Sequence, residues 1–365
     1  MTFDKIQYLE WAKRNQGTAG LDLSNSAVAP LTAEDLGLAP GDLELTGRNA
    51  FGLEALLDQV SKRYGVPTKN IVLTHGASNA MYMLGATLLS PGEEVLLEMP
   101  NYEPMYRVAR MFGAEVKVLD RPFEKGWQVD LEALGRRISR NTRVAILTNL
   151  HNPTGVMTGP EKLKTVVQVT RDHGAHLMVN ETYLDLAAEP QKSAFLSGDN
   201  VIVVGSLTKS YGLGGLRIGW IFCPEELTDR LRAFQSYCVG VNAFVTEKIA
   251  VKAFEKLDAL REKGRKITQR NLTVFREWMS GRPEMKWVEP DGGTVCFPRL
   301  PLGMDSWEMV RLLREKHDTL VTPGDFFWMK GFIRIGLGTD PEKLVVGLER
   351  LGQAIDELKK RRGFA

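Results

Sequence analysis

Cysteine is scarce in this chain: Cys223, Cys238 and Cys296 are the only three in 365 residues. An odd, scattered set builds no disulfide framework and fits a reducing compartment, so a cytoplasmic protein is expected. Histidine is scarce as well, at five, and neither residue type recurs at metal-ligand spacing, so no metal site is expected. An excess of one charge is also lacking. Lys and Arg number 47 against 45 Asp and Glu, a net charge of +2. No basic field therefore points to nucleic acid. No apolar run approaches the length of a membrane span. The opening residues Met1-Thr-Phe-Asp-Lys-Ile contain no signal-peptide core. Repeats, low-complexity tracts and long linkers are missing too.

What remains is the composition of a soluble globular protein, 43% hydrophobic and 25% charged. The length exceeds one ordinary core and implies two domains. Short apolar runs alternate with amphipathic stretches from about residue 50 to 225. The spacing predicts strands at Ile71–Thr74, Val95–Glu98, Glu115–Leu119, Val144–Leu147, His176–Val179, Val201–Val204 and Ile218–Phe222. Helices are expected at Ser78–Leu89, Tyr102–Phe112 and Pro160–His173. Continuous Val, Ile and Leu runs suit strands covered on both faces, and the alternation implies an α/β fold with a mostly parallel sheet.

Beyond residue 225 the texture changes. Glu225–Gln235 and Glu247–Trp278 read as long, charge-laced helices. A smaller α+β region follows, with strands at Thr294–Phe297, Leu320–Val321 and Phe332–Ile335 and helices at Ser306–Lys316 and Pro341–Lys360. The expected organisation is an N-terminal arm (1–45) packing on the small domain or lining the site, a large cofactor-binding domain (46–255) and a small C-terminal domain (256–365).

Five segments follow strands and carry chemistry. Thr74-His-Gly76-Ala77-Ser78 leads from a strand into a helix, where free N–H groups and the helix dipole favour an anion. Tyr102 offers an aromatic face to a flat ring. Asn152-Pro-Thr-Gly155 makes a tight turn whose amide can donate to a ring oxygen. Asn180 ends a strand, and Tyr183 follows three residues on. Ser206-Leu-Thr-Lys209 and the later Arg217 place an amine and a planar cation after another strand. An amine there can form a Schiff base with a carbonyl cofactor, and the guanidinium can meet a phosphate. Each segment alone also fits an ordinary turn or a solvated surface.

Together, in this order, they resemble the class I/II aminotransferases of the pyridoxal-phosphate fold-type-I superfamily, over nearly the whole chain. The resemblance implies a seven-stranded large domain, bound pyridoxal 5'-phosphate, and a homodimer acting on an amino acid and a 2-oxo acid. By position it implies that Lys209 forms the Schiff base. Ala77 and Ser78 would cradle the phosphate with Ser206 and Arg217. Tyr102 would stack on the pyridine ring, and Asn152 and Tyr183 would bond its phenolic oxygen. Arg334, in Phe332-Ile-Arg-Ile, would take the substrate carboxylate, a bidentate contact that suits a guanidinium.

Two positions depart from that pattern. Asn180 replaces the acidic residue that pairs with the protonated ring nitrogen, and a neutral amide should lower that nitrogen's pKa. Glu181 should face the opposite way, because neighbours on a strand alternate. Thr46 stands where many relatives carry a tyrosine directed at the partner subunit's phosphate. The expected activity is amino transfer. A pyridoxal-phosphate lyase or cyclase is the alternative, with a low-activity cofactor-binding homologue behind it. The segment Leu21-Asp-Leu-Ser-Asn-Ser-Ala-Val-Ala-Pro30 lacks the glycine usual near the substrate, which also bears on that alternative.

Overall fold

A computed structural model describes residues 4–301 and 303–363. The first three residues of the expected arm, Leu302 and the last two residues of the expected small domain lie outside the described residues. The large sheet has seven strands: β1 (Ile71–Thr74), β2 (Glu94–Met99), β3 (Glu115–Asp120), β4 (Thr142–Thr148), β5 (His176–Asn180), β6 (Val201–Ser206) and β7 (Gly219–Phe222). They lie in the order β1-β7-β6-β5-β4-β2-β3. Only β7 runs against its neighbours, antiparallel to both β1 and β6. The fold is the expected α/β class.

The apolar runs follow from this burial. Along β5 and β6, Leu177, Val179, Val201 and Val203 enter one core cluster, while Met178, Ile202 and Val204 enter another on the opposite face. Successive strand side chains alternate, so a sheet covered by helices on both sides needs apolar residues at both parities. Helices Gly76–Leu88 and Glu103–Met111 supply Met81, Leu84 and Met105 to the second cluster, and Pro160–Asp172 supplies Val166 and Val167 to the first.

Two expectations fail. The single helix expected over Glu247–Trp278 is two helices, Phe244–Glu255 and Leu257–Ser280, broken at Lys256. Lys256 leaves the helical region at φ −108°, ψ 6°. Its ammonium donates to Leu36 O at 2.7 Å while Leu257 turns into the core. No glycine or proline marks this break, which coincides with the contact to a distant segment. The strand expected at Leu320–Val321 also divides. Thr319–Leu320 pairs with Leu21–Asp22, whereas Thr322–Pro323 pairs with Ile333–Gly336.

A separate apolar cluster unites Leu23, Phe275, Leu313, Ile333, Ile335, Leu348 and Leu351. The arm begins with helix Gln7–Asn15 and then pairs its strand with Thr319–Leu320. Its return path is tied to the large sheet's edge, since Val28 N–H donates to Lys209 O at 3.0 Å. The arm thus bridges the two apolar units beside the C-terminal strand ends. Among the described residues, no helix is long and apolar enough to cross a membrane.

Candidate active site

The C-terminal ends of β2, β4, β5 and β6 open onto one cavity of about 190 Å³. This is the edge at which open α/β sheets bind ligands, because the chain leaves each strand there and turns back over the sheet. Its lining includes Ala77, Ser78, Tyr102, Asn152, Asn180, Tyr183, Ser206, Lys209 and Arg217. Segments up to 140 residues apart in sequence are thereby brought to one place. Arg334 stands immediately behind this wall and bonds two lining residues, Asn152 and Tyr8.

One end of the cavity is built for an anion. Helix Gly76–Leu88 begins there without a side-chain cap and without an acid in its first turn. Its first N–H groups, at Gly76, Ala77 and Ser78, therefore have no partner from those sources. Gly76 has φ +76°, and a Cβ there would lie 2.7 Å from Arg217 Nη2. Glycine is needed both for the backbone conformation and for the approach of the guanidinium. Arg217 itself adopts φ 55°. Its Nη2 donates to His75 O at 3.2 Å and its Nη1 to Gly214 O at 3.1 Å, which aims the planar head at the helix start.

In the middle of the cavity, Lys209 Nζ donates to Ser26 Oγ at 3.0 Å. Burial, reinforced by the Arg334 and Arg217 charges, lowers the Lys209 amine to about 8. A neutral amine is a nucleophile, so this depression suits condensation with a carbonyl. Burial also pushes the Tyr183 hydroxyl up to about 12 and raises that of Tyr102. Both phenols therefore remain protonated donors near neutrality. The Tyr102 ring meets the Tyr8 ring edge-on at 5.6 Å.

At the far end, Arg334 is fully buried. Nη1 donates to Asn152 Oδ1 at 3.1 Å, and Nη2 donates to Tyr8 Oη and Ser24 O, each at 2.9 Å. Its guanidinium lies 5.0 Å from the Phe327 ring centre and 5.4 Å from that of Tyr8. Nε has no partner. Every group bonded to Arg334 is neutral, so a buried cation waits for a counter-charge. The bond to Arg334 also orients Asn152: with Oδ1 accepting, Nδ2 is left to donate.

A buried layer holds these segments in place. His151 Nε2 lies 2.7 Å from Pro100 O, and Nδ1 lies 2.7 Å from Thr154 Oγ1. A carbonyl only accepts, so Nε2 carries the proton and Nδ1 accepts from the hydroxyl. Burial, then the Arg121 charge, keeps this imidazole neutral, well below its usual pKa. The ring thereby fastens the Asn152 turn to the segment leading into Tyr102. Beneath it, Arg121 and Glu98 form a fully buried ion pair at 2.8 Å, and Glu98 also accepts from Thr148 N–H.

Tyr8 and Ser26 carry no signal in the sequence. Tyr8 reads as one aromatic on an amphipathic helix, and Ser26 as one small residue in the arm; only the arm's path brings them to the site. Glu181 does turn away from the cavity, accepting from Ser193 Oγ at 2.8 Å and Ala194 N–H at 2.6 Å. Burial raises its carboxyl to about 8. Thr46 is exposed and does not line the cavity.

A sequence model described as aminotransferase class I and II matches residues 38–351. The chain belongs to this family. It is 27% identical over 316 residues to an aspartate aminotransferase of Pyrococcus horikoshii, spanning 83% of this chain and 80% of that one. It is 28% identical over 363 residues to a capreomycidine synthase of Streptomyces vinaceus, spanning 95% and 92%. The crystal structure of a pyridoxal-phosphate-dependent aminotransferase from Streptococcus suis superposes with a TM-score of 0.93 at 28% identity, covering 98% of this chain and 99% of that one. The family's cofactor is pyridoxal 5'-phosphate, and the cavity suits it. An anion cradle that a Cβ at Gly76 would fill lies at one end, and a buried nucleophilic amine lies beyond it. The departure is at Asn180, where the lining offers the ring nitrogen no carboxylate.

Proposed function

We propose that this chain is a pyridoxal-phosphate-dependent aminotransferase, moving an amino group from an α-amino acid to a 2-oxo acid. The observation that carries this reading is the pairing of a depressed Lys209 amine with Arg334, a buried cation lacking a carboxylate partner. Lys209 lines the cavity and Arg334 stands directly behind Asn152 and Tyr8 of its wall, so the two recognition groups that an α-amino acid substrate demands adjoin one another.

In this reading the first turn of helix Gly76–Leu88, Ser206 and Arg217 bind the cofactor phosphate. Lys209 holds the cofactor through its Nζ, Tyr102 covers the ring, and Asn152 Nδ2 and the Tyr183 hydroxyl donate to its phenolic oxygen. Bound there, the cofactor supplies an electron sink for the bonds at the substrate α-carbon. Arg334 clamps the substrate carboxylate and orients the α-carbon. Lys209 Nζ, once freed, would accept the α-proton as a general base and donate it to the cofactor's C4′ carbon as a general acid, a role its lowered pKa suits. Tyr8 and the arm exclude water on the Arg334 side.

A lyase or cyclase is the second reading. Asn180 favours it, because a weaker electron sink draws less charge from the substrate onto the cofactor, which amino transfer needs, and the similarity to a capreomycidine synthase spans nearly both chains. A homodimer is supported by exposed apolar side chains on adjoining segments. Leu45 is 77% and Tyr237 90% exposed, and Phe51 packs its ring against Arg232.

The experiment is an amino acid panel with product analysis on wild-type protein and Lys209→Ala. Amino transfer yields a 2-oxo acid and the aminated cofactor, whereas elimination yields ammonia and cyclisation a ring product. Lys209→Ala is expected to lose both turnover and the visible absorbance of the Schiff base. A fully active variant would end this assignment.

A further inference from the structure

Asn180 closes β5, and its side chain lines the cavity. Its Oδ1 accepts from Thr182 N–H at 3.1 Å. A backbone N–H can only donate, so the amide orientation follows from the bond: the oxygen faces Thr182, and Nδ2 is left for the cavity. Among the described residues, Nδ2 has no acceptor in the protein. The residue is 5% exposed, and the surface it keeps belongs to the cavity lining, so a ligand there is what its free donor meets. The site therefore presents a donor where the family's pattern has a carboxylate acceptor.

The field in the cavity has the same sense. Its lining brings Lys209 and Arg217, with Arg334 behind Asn152 and Tyr8, and no Asp or Glu. The acid next in sequence, Glu181, is committed to Ser193 and Ala194 on the other side of the strand end. Burial raises the Tyr102 and Tyr183 hydroxyls, so neither adds a negative charge to the lining near neutrality. A protonated ring nitrogen would find no carboxylate in the lining to pair with, which disfavours the protonated form.

We infer that Asn180 donates from Nδ2 to an unprotonated pyridine nitrogen, so that this protein works with a neutral cofactor ring. The inference rests on the reading that Lys209 holds pyridoxal phosphate in this cavity. It sharpens that reading, because a neutral ring withdraws less charge from the substrate α-carbon. Removal of the α-proton then depends more heavily on Lys209 and on the orientation imposed by Arg334. In this role Asn180 selects the ring's protonation state, and with it the reactions open to the site.

The test is nitrogen NMR of the protein loaded with pyridoxal phosphate labelled with ¹⁵N in the ring, beside Asn180→Asp loaded in the same way. The wild-type resonance is expected in the free-pyridine range, with no displacement across neutral pH. Asn180→Asp should move it into the pyridinium range. One carboxylate oxygen can keep the Thr182 bond while the other accepts from the protonated nitrogen. A wild-type resonance in the pyridinium range overturns the inference, and does so even if the variant fails to fold. A pyridine-range resonance that Asn180→Asp leaves in place overturns the role of Asn180. Wild-type protein that binds the cofactor without the visible absorbance that Lys209→Ala abolishes refutes the reading of Lys209 instead, and the inference falls with it.

Discussion

Replacing Arg334 with lysine keeps a cation in the enclosure and removes the planar fork. In the native site, Asn152 Oδ1 engages one N–H of Nη1 and leaves the other, while Tyr8 and Ser24 occupy Nη2. A carboxylate docking here gains charge-assisted hydrogen bonds of about 1.5–3 kcal/mol each. Lysine supplies the charge but not the second, parallel bond. The loss of one such bond corresponds to a fall of roughly 10- to 100-fold in kcat/KM. The assay compares an α-amino acid with the amine that lacks only its carboxylate, on wild-type and Arg334→Lys protein. The amino acid should lose this factor, and the carboxylate-free amine, already a poor substrate, should lose almost nothing. Urea unfolding of both proteins checks that the frame survives. Equal losses for the two substrates would refute the reasoning, because Arg334 would then act by bracing Asn152 and Tyr8 and not by recognising a carboxylate.

Two further outcomes follow from the same geometry. Gly76→Ala places an L-residue at φ +76° with its Cβ 2.7 Å from Arg217 Nη2; the backbone alone costs about 1–2 kcal/mol, read from the urea midpoint. Displacement of Arg217 should also speed cofactor release, followed by loss of visible absorbance on dilution. For Lys209, the folded-state pKa of about 8 lies below the ordinary lysine value. Between the two values the unfolded chain holds more protons than the folded one, so the cofactor-free protein should gain stability as pH rises through that window. Below about pH 8 the destabilising buried charge is fully present. Lys209→Met should abolish this slope; an unchanged slope would assign it to another group.

Much of the large sheet was legible because a strand covered on both faces must be apolar at every position. Runs such as Val201-Ile-Val-Val204 fill both core clusters and leave little ambiguity. The break at Lys256 was not legible, since no local breaker stands there and what accompanies it is a contact with Leu36, far away along the chain. The residues gathered around the cavity were legible where a turn carries its own signature, as in Asn152-Pro-Thr-Gly155. Tyr8 and Ser26 were not, because their place depends on how the arm crosses between the two apolar units.

The sequence by itself determined the chemistry available: a lysine and an arginine after one strand, a glycine before a helix, and an amide in place of a carboxylate. These are properties of residue type and spacing, set before any long-range contact forms. The tertiary structure decided how that chemistry is poised. Burial beside two arginines lowers Lys209, Asn152 and Tyr8 hold Arg334 without neutralising it, and the Thr182 N–H turns the Asn180 amide so that its donor faces the cavity. Each of these effects depends on desolvation or on a neighbour brought close by folding, and neither is written in residue order.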